Sequence, residues 1–115
     1  MPMIHVHTHP AVPAAARDTL IAKLSKTLAD LTQKPERYVM ALLSDSTILM
    51  AGKPGPGAFV DVRGIGGLTP AVNKALAKGI CDILSQALQI PPDRVYLNFT
   101  DVAAVNWGHN GGTFG

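Results

Sequence analysis

The chain contains an internal repeat, and this repeat restricts its fold more than any other feature of the sequence. Prolines and the charged pairs that follow them recur at a separation of 57 positions, and the leucine pattern between them recurs at 56. The matching pairs are Pro13 with Pro70, Pro35 with Pro92, Arg37 with Arg94, Leu20 with Leu76, Leu24 with Ile80 and Leu28 with Leu84. We therefore interpret residues 1–115 as a single domain made of two similar halves, about 1–57 and 58–115.

Each half has the pattern of a β-α-β unit. Segments of strand length flank a stretch in which leucine and isoleucine recur on one helical face. The first helix is predicted after Pro13, and the second is predicted to begin at Thr69-Pro70, a cap residue followed by a proline that suits the first turn. The predicted strands are Met3–Thr8, Tyr38–Leu43, Phe59–Val62 and Val95–Phe99, with Thr47–Met50 as a short extra strand, Gly52–Gly57 as a loop and a short hairpin around Trp107-Gly108.

Two β-α-β units in one chain predict an α+β fold, in which a four-stranded mixed sheet carries both helices on one face. No remaining segment covers the other face, although Tyr38–Leu43 indicates strands that are apolar on both sides. The composition supports this interpretation, since only 16% of the residues are charged, whereas ordinary domains contain about 25%. We therefore expect the uncovered face to meet other copies of the chain.

Composition and charge argue against several classes of protein. The formal net charge is +2 and the basic residues are scattered, which does not point to a nucleic-acid partner. Aspartates interrupt every long apolar run, so no membrane span is predicted. The N-terminus lacks the pattern of a signal peptide, and we expect a cytoplasmic location. The single cysteine, Cys81, excludes an internal disulfide, and we expect it to be buried and inert.

Two motifs are similar to ligand-binding sites, but each lacks residues that such a site needs. His5, His7 and His9 alternate, so a strand places them on one face, but no carboxylate or cysteine joins them in sequence. We predict no metal site there. The segment Gly64–Gly67 precedes a predicted helix, as in phosphate-binding loops. It lacks the third spaced glycine and the Gly-Lys-Ser/Thr sequence that such loops use.

Pro2 and Lys34 are the residues best suited to chemistry. Removal of Met1 gives Pro2 a free secondary amine; an α-amino group titrates near ~8, and apolar surroundings disfavour its charged form. Such an amine is a suitable general base at neutral pH. Lys34 is predicted at the end of the first helix, where a cation can bind a carboxylate. Two simpler interpretations stay open, a tolerated second residue for Pro2 and a solvated helix-end lysine for Lys34.

Five motifs, spread over the whole chain, carry a resemblance to a known family. They are Pro2-Met3, Gln33–Tyr38, Ile65–Gly67, Pro92–Asn98 and Asn110–Phe114. The most specific is Pro-Asp-Arg-Val-Tyr-x-Asn, which begins at Pro92. In these motifs the sequence resembles the macrophage migration inhibitory factor family of the tautomerase superfamily. The resemblance implies a homotrimer that interconverts keto and enol forms of phenylpyruvate-like 2-oxo acids without a cofactor, with dopachrome isomerisation as a related reaction.

The resemblance also implies a role for individual residues. Pro2 matches the catalytic base, Lys34 matches the cation that holds the substrate carboxylate, and Ile65 matches a residue whose backbone amide contacts the substrate. Two pocket residues, Tyr96 and Asn98, match residues that a neighbouring subunit contributes. The predicted pocket rim consists of Met3, Tyr38, Trp107 and Phe114.

Several positions depart from the family pattern. Gly57–Val60 replaces a Cys-x-x-Cys pair of animal relatives, so we expect no thiol oxidoreductase activity. Trp107 and His109 alter the usual order of the C-terminal motif, and Arg63 adds a cation beside Ile65. Two other functions stay open: a cytokine-like signalling module with vestigial activity, and an oligomeric binding domain without turnover. Animal relatives can also be exported without a signal peptide.

Overall fold

The predicted repeat is present in the order of elements in the computed structural model, which describes all residues from Met1 to Gly115. Each helix contains 19 residues and is followed by a glutamine in the left-handed conformation, Gln33 or Gln89. The two halves thus share local geometry as well as order. The elements are β1 (Met3–His9), α1 (Ala14–Thr32), β2 (Met40–Asp45), β3 (Leu49–Met50), β4 (Lys53–Pro54), β5 (Gly57–Gly64), α2 (Pro70–Leu88), β6 (Val95–Asp101), β7 (Gly108–His109) and β8 (Gly112–Thr113).

The main sheet has the strand order β2-β1-β5-β6. Strands β1 and β2 are parallel, β5 and β6 are parallel, and the central pair β1–β5 is antiparallel. A parallel pair needs a crossover connection, and each helix supplies the crossover of its own half. The predicted α+β fold with a four-stranded mixed sheet and duplicated β-α-β units is confirmed. Neither helix is long and apolar enough to cross a membrane.

The core lies between the sheet and the two helices. Every second residue of the central strands points to the helices and is fully buried, for example Ile4, Val6 and Val60. The predicted helix faces meet them, with Leu24 of α1 and Ile80 of α2 among the buried residues. Each such side chain contributes roughly 1.5–3 kcal/mol when it leaves water. This layer fixes the sheet and therefore the positions of the strand ends.

A short hairpin follows the second strand of each half, so the repeat extends beyond the β-α-β units. In the first half β3 pairs with β4, and in the second half β7 pairs with β8. The turn residues Ala51-Gly52 and Asn110-Gly111 all have positive φ angles, as expected for a two-residue hairpin turn. The hairpin around Trp107-Gly108 was predicted, but the interpretation of Gly52–Gly57 as a loop is wrong in part, because β4 lies within it.

Three other predictions differ from the structure. Tyr38 does not begin a strand; it ends a short 3-10 helix, Glu36–Tyr38, and β2 starts only at Met40. Cys81 is half-buried rather than buried, although burial still raises the pKa of its thiol. The uncovered face is not apolar on every strand.

The uncovered face of the sheet is polar at its centre. Strand alternation places His5 and His7 of β1 there, beside Asp61 and Arg63 of β5. The prediction that the strands are apolar on both sides is therefore wrong for the two central strands. The apolar run Tyr38–Leu43 overlaps edge strand β2, and its apolar character does not extend to β1 and β5.

Candidate active site

A cavity of about 630 Å³ opens beside the start of β1. Its wall contains Pro2 together with all four predicted rim residues. All of the wall comes from three stretches of chain, 1–3, 37–40 and 102–114, and from Arg63. The predicted residues on the wall are Pro2, Met3, Tyr38, Trp107 and Phe114. The wall residues that the sequence motifs did not mark as rim residues are Met1, Arg37, Val39, Met40, Arg63, Val102, Asn106, Gly108 and His109.

Backbone hydrogen bonds bring these distant segments together. The amide of Met40 donates to the carbonyl of Pro2 at 3.2 Å, which extends the β1–β2 ladder to the chain start. On the other side, the amide of Val102 donates to Gly64 at 2.7 Å, and the amide of Phe114 donates to Trp107 at 3.1 Å. The cavity therefore lies where the first strand begins and where the C-terminal hairpin folds back.

Lys34 and Ile65 form a pair beside the cavity. The left-handed residue Gln33 ends α1, and the Lys34 ammonium donates to the backbone carbonyl of Ile65 at 2.8 Å. The side chain passes close to Gly67, where an added Cβ atom would lie 3.1 Å from Lys34 Cε. Neither Lys34 nor Ile65 lies on the cavity wall itself, so the structure places them next to the predicted site and not within it.

The N-terminal amine is influenced by this lysine. Burial lowers the pKa of the Met1 amine from its ordinary value of 8.0, and the Lys34 ammonium lowers it further. Both effects disfavour the protonated amine, because burial removes hydration and a like charge repels it. The environment at the chain start therefore favours a neutral amine. The next residue in the chain, Pro2, is buried.

Tyr96 and Asn98 lie away from this cavity. Both project from the uncovered side of β6, at the register positions of Phe59 and Asp61, and Tyr96 is 67% exposed. Tyr96 lines a second cavity, of about 310 Å³, together with Leu49 and Phe59. Within one chain the two predicted pocket residues do not meet Pro2. Their assignment to the site of a neighbouring subunit stays a prediction.

The two arginines on the cavity wall differ in their partners. Arg63 donates to both carboxylate oxygens of Asp61, with its closest contact at 2.9 Å, and this partner raises the pKa of Arg63. Arg37 instead lies over the Tyr38 ring, 4.6 Å from its centroid. Arg63 was noted from the sequence, whereas Arg37 was missed, although its position directly before the rim residue Tyr38 was a signal.

The histidines on the sheet face form contacts within the chain. His5 Nε2 shares a 2.7 Å hydrogen bond with Ser44 Oγ, and the His5 and His7 rings are 3.9 Å apart. Burial and then His7 lower the pKa of His5, while Asp61 opposes them. No cluster of three or more metal-binding side chains occurs in the structure.

Comparison with known proteins settles the family. The family model described as macrophage migration inhibitory factor (MIF) matches residues 1–115. The chain belongs to this family. MIF of Rattus norvegicus is 37% identical over 116 residues, covering 99% of each chain. The crystal structure of the MIF homologue from Prochlorococcus marinus has a TM-score of 0.93 and 37% identity, covering 98% of this chain and 99% of that one.

The MIF fold persists at lower identity as well. The MIF-like protein of Entamoeba histolytica is 26% identical, yet it matches with a TM-score of 0.94 over 98% of both chains. The family resemblance predicted from the motifs is confirmed. Membership of the MIF family supports an isomerase activity of the tautomerase type in general.

The close approach of Lys34 to Gly67 gives a prediction about stability. Gly67 and Gly111 both have positive φ angles, but an added Cβ contacts Lys34 only at Gly67 and meets nothing within 4 Å at Gly111. We expect Gly67→Ala and Gly111→Ala each to lose about 1–2 kcal/mol of unfolding free energy from backbone strain. Gly67→Ala should lose more, because Lys34 must also move. Urea unfolding at one protein concentration measures both, and equal losses would contradict the contact.

Proposed function

We propose that this protein is a keto–enol tautomerase of phenylpyruvate-type 2-oxo acids, with Pro2 as its general acid and base after removal of Met1. The observation that carries the proposal is the position of Pro2 on the wall of a cavity that has an aromatic rim and two arginines, with no aspartate or glutamate on the wall. An aromatic ring suits the rim, and a carboxylate suits the cations.

The reaction moves one proton and leaves the composition of the substrate unchanged. The Pro2 nitrogen takes a proton from the carbon next to the carbonyl, the electrons of that C–H bond form the enol double bond, and the carbonyl π electrons move to its oxygen. The protonated Pro2 amine then gives the proton to this oxygen and becomes neutral again. The base must be neutral at working pH, and burial with the Lys34 charge favours neutrality at the chain start. Removal of Met1 transfers this environment to the Pro2 amine.

Lys34 is proposed to bind the substrate carboxylate. Its ammonium has three N–H donors, of which the Ile65 carbonyl accepts one, so two are available for a ligand. That hydrogen bond also holds the charge in place and limits the side-chain entropy lost on binding. The backbone amide of Ile65 is proposed as a further contact to the substrate, and Met3, Tyr38, Trp107 and Phe114 as the apolar surface for its ring.

We further propose a homotrimer in which Tyr96 and Asn98 complete the cavity of the neighbouring subunit. Large side chains remain exposed on both edge strands of the sheet and on the β3–β4 hairpin, among them Met40 at 61%, Tyr96 at 67% and Leu49 at 70%. Closed symmetric assembly removes such groups from water. It also gives Asn98, which has no site within its own chain, a place in the proposed chemistry.

A cytokine-like role is the second candidate. It is favoured by the 37% identity with rat MIF over almost the whole chain. On this alternative the cavity is vestigial, and binding to a receptor does not depend on Pro2. The two candidates differ in the expected turnover of a 2-oxo acid. A tautomerase turns it over at a rate that requires a positioned base, whereas a cytokine-like module with a vestigial cavity does not.

Replacement of the base tests the proposed chemistry. We expect Pro2→Ala to lower kcat/KM for phenylpyruvate by about 10²–10⁴-fold, the usual contribution of a positioned general base. Enol absorbance measures the rate, and intact mass verifies that Met1 is absent from both proteins. Retained Met1 should abolish turnover in the unmodified sequence. Equal rates for Met1-free Pro2→Ala and the parent protein would exclude Pro2 as the base.

Subunit mixing tests the shared site. Pro2→Ala and Asn98→Ala are each expected to be impaired as pure proteins. Unfolding and refolding them together in equal amounts should restore activity to about a quarter of the sites, since a random trimer then pairs intact Pro2 with a neighbour's intact Asn98. Each variant refolded alone is the control. No recovery on mixing would place the whole site within one chain.

A further inference from the structure

Arg37 is a cation on the cavity wall that has no anionic partner. Its guanidinium lies 4.6 Å above the centroid of the Tyr38 ring, and its one side-chain hydrogen bond, to Tyr38 Oη, is 3.4 Å long. The neighbouring Glu36 forms no ion pair with it, and the Glu36 carboxylate accepts from Ser25 Oγ on α1 at 2.9 Å. None of the three ion pairs in the structure includes Arg37.

The internal repeat supplies a direct comparison for this residue. Arg94 is the equivalent arginine of the second half, and its guanidinium donates to carbonyl groups of the hairpin that precedes β5. The accepting carbonyls are those of Met50, Lys53, Gly55 and Pro56. Arg94 therefore donates four hydrogen bonds that hold the structure together, whereas Arg37 makes no hydrogen bond to a backbone carbonyl. The two arginines share a position in the repeat and differ in free hydrogen-bonding capacity.

The rest of the cavity wall adds no negative charge near Arg37. Its fourteen residues include two arginines and a histidine but no aspartate or glutamate. The other arginine, Arg63, is already bound to Asp61. A guanidinium that stacks on a ring keeps its N–H edge free in the plane, and this edge matches the two oxygens of a carboxylate.

We propose that Arg37 determines specificity by binding a second anionic group of the substrate, so that the preferred substrates are aromatic 2-oxo acids with a further carboxylate on the ring. This inference rests on the proposed tautomerase function, in which Lys34 binds the carboxylate next to the oxo group. Lys34 lies beside the cavity at Ile65, whereas Arg37 lies on the wall with Tyr38. The cavity, of about 630 Å³, has room for an aromatic ring.

The test compares phenylpyruvate with 4-carboxyphenylpyruvate. In the parent protein we expect kcat/KM to be about fivefold higher for 4-carboxyphenylpyruvate, which corresponds to the free energy of an exposed charge pair. The difference should lie in KM and not in kcat. Arg37→Gln should abolish this preference, and Arg37→Lys should restore part of it. Added salt should weaken the preference in the parent protein, which a purely structural role of Arg37 would not cause.

Arg17→Gln is the matched control, because it makes the same substitution at an exposed arginine outside the cavity wall. Arg17 lies on α1, and α1 begins after the end of β1 that is opposite to Pro2. This variant should keep the preference. An unchanged preference in Arg37→Gln, or a loss in Arg63→Gln that Arg37→Gln does not show, would overturn the assignment.

A binding measurement separates this inference from the proposed function. If neither substrate is turned over, the tautomerase proposal fails, and binding still tests Arg37. Trp107 is the single tryptophan of the chain and lies on the cavity wall, so its fluorescence reports occupancy. 3-(4-Carboxyphenyl)propanoate should bind about fivefold more tightly than 3-phenylpropanoate, and Arg37→Gln should remove the difference. Equal affinities in the parent protein contradict the inference.

Discussion

The hydrogen bond from Lys34 Nζ to the Ile65 carbonyl joins the two halves of the repeat at the candidate site. Lys34 follows the helix of the first half, and Ile65 follows the first strand of the second half. The bond holds a positive charge near the chain start, where that charge and burial both lower the pKa of the N-terminal amine. Burial has the larger effect on that pKa, and the Lys34 charge adds to it. This one hydrogen bond thus holds a charge that acts on the N-terminal amine and is also the proposed carboxylate-binding group.

The duplication explains the fold, and the departures from it explain the site. Two similar cavities occur, and each lies between the arginine of one half, Arg37 or Arg94, and the hairpin of the other half. In the second half Pro91 stands at the repeat position of Lys34, and no chain terminus lies at the second cavity. The second cavity thus lacks both an amine and a helix-end cation. Chemistry is expected at one of the two equivalent places only.

The topology could be predicted from the sequence because the repeat forces it. Two β-α-β units leave few arrangements, and buried residues such as Leu24 and Ile80 follow the helical period. The short strand β4 escaped prediction because its Pro54 and the surrounding glycines are typical of loops. Its partner β3 and a two-residue turn are enough to make it half of a hairpin.

The site was only partly predictable, for physical reasons that differ between residues. Pro2 and the rim residues meet because strand ends and a hairpin converge, and the sequence indicated them together only through the family resemblance. Tyr96 and Asn98 face away from that cavity, so only an assembly can bring them to a site. The polar face of the central strands was missed because an apolar edge strand was taken as representative of the sheet. Arg37 could not be identified from the sequence, because what distinguishes it is the lack of an anionic partner in the folded chain.

The most direct test of the account is the pKa of the Pro2 amine in protein that lacks Met1, measured by NMR titration of ¹⁵N-labelled proline. Because only the neutral amine accepts a proton, kcat/KM should rise with pH and level off above this pKa. The account predicts that the pKa of this amine is lower in the folded protein than in the unfolded protein, as for the Met1 amine, and that it coincides with the midpoint of the rate profile. An equal or higher pKa in the folded protein, or a rate profile unrelated to the titration, would contradict it.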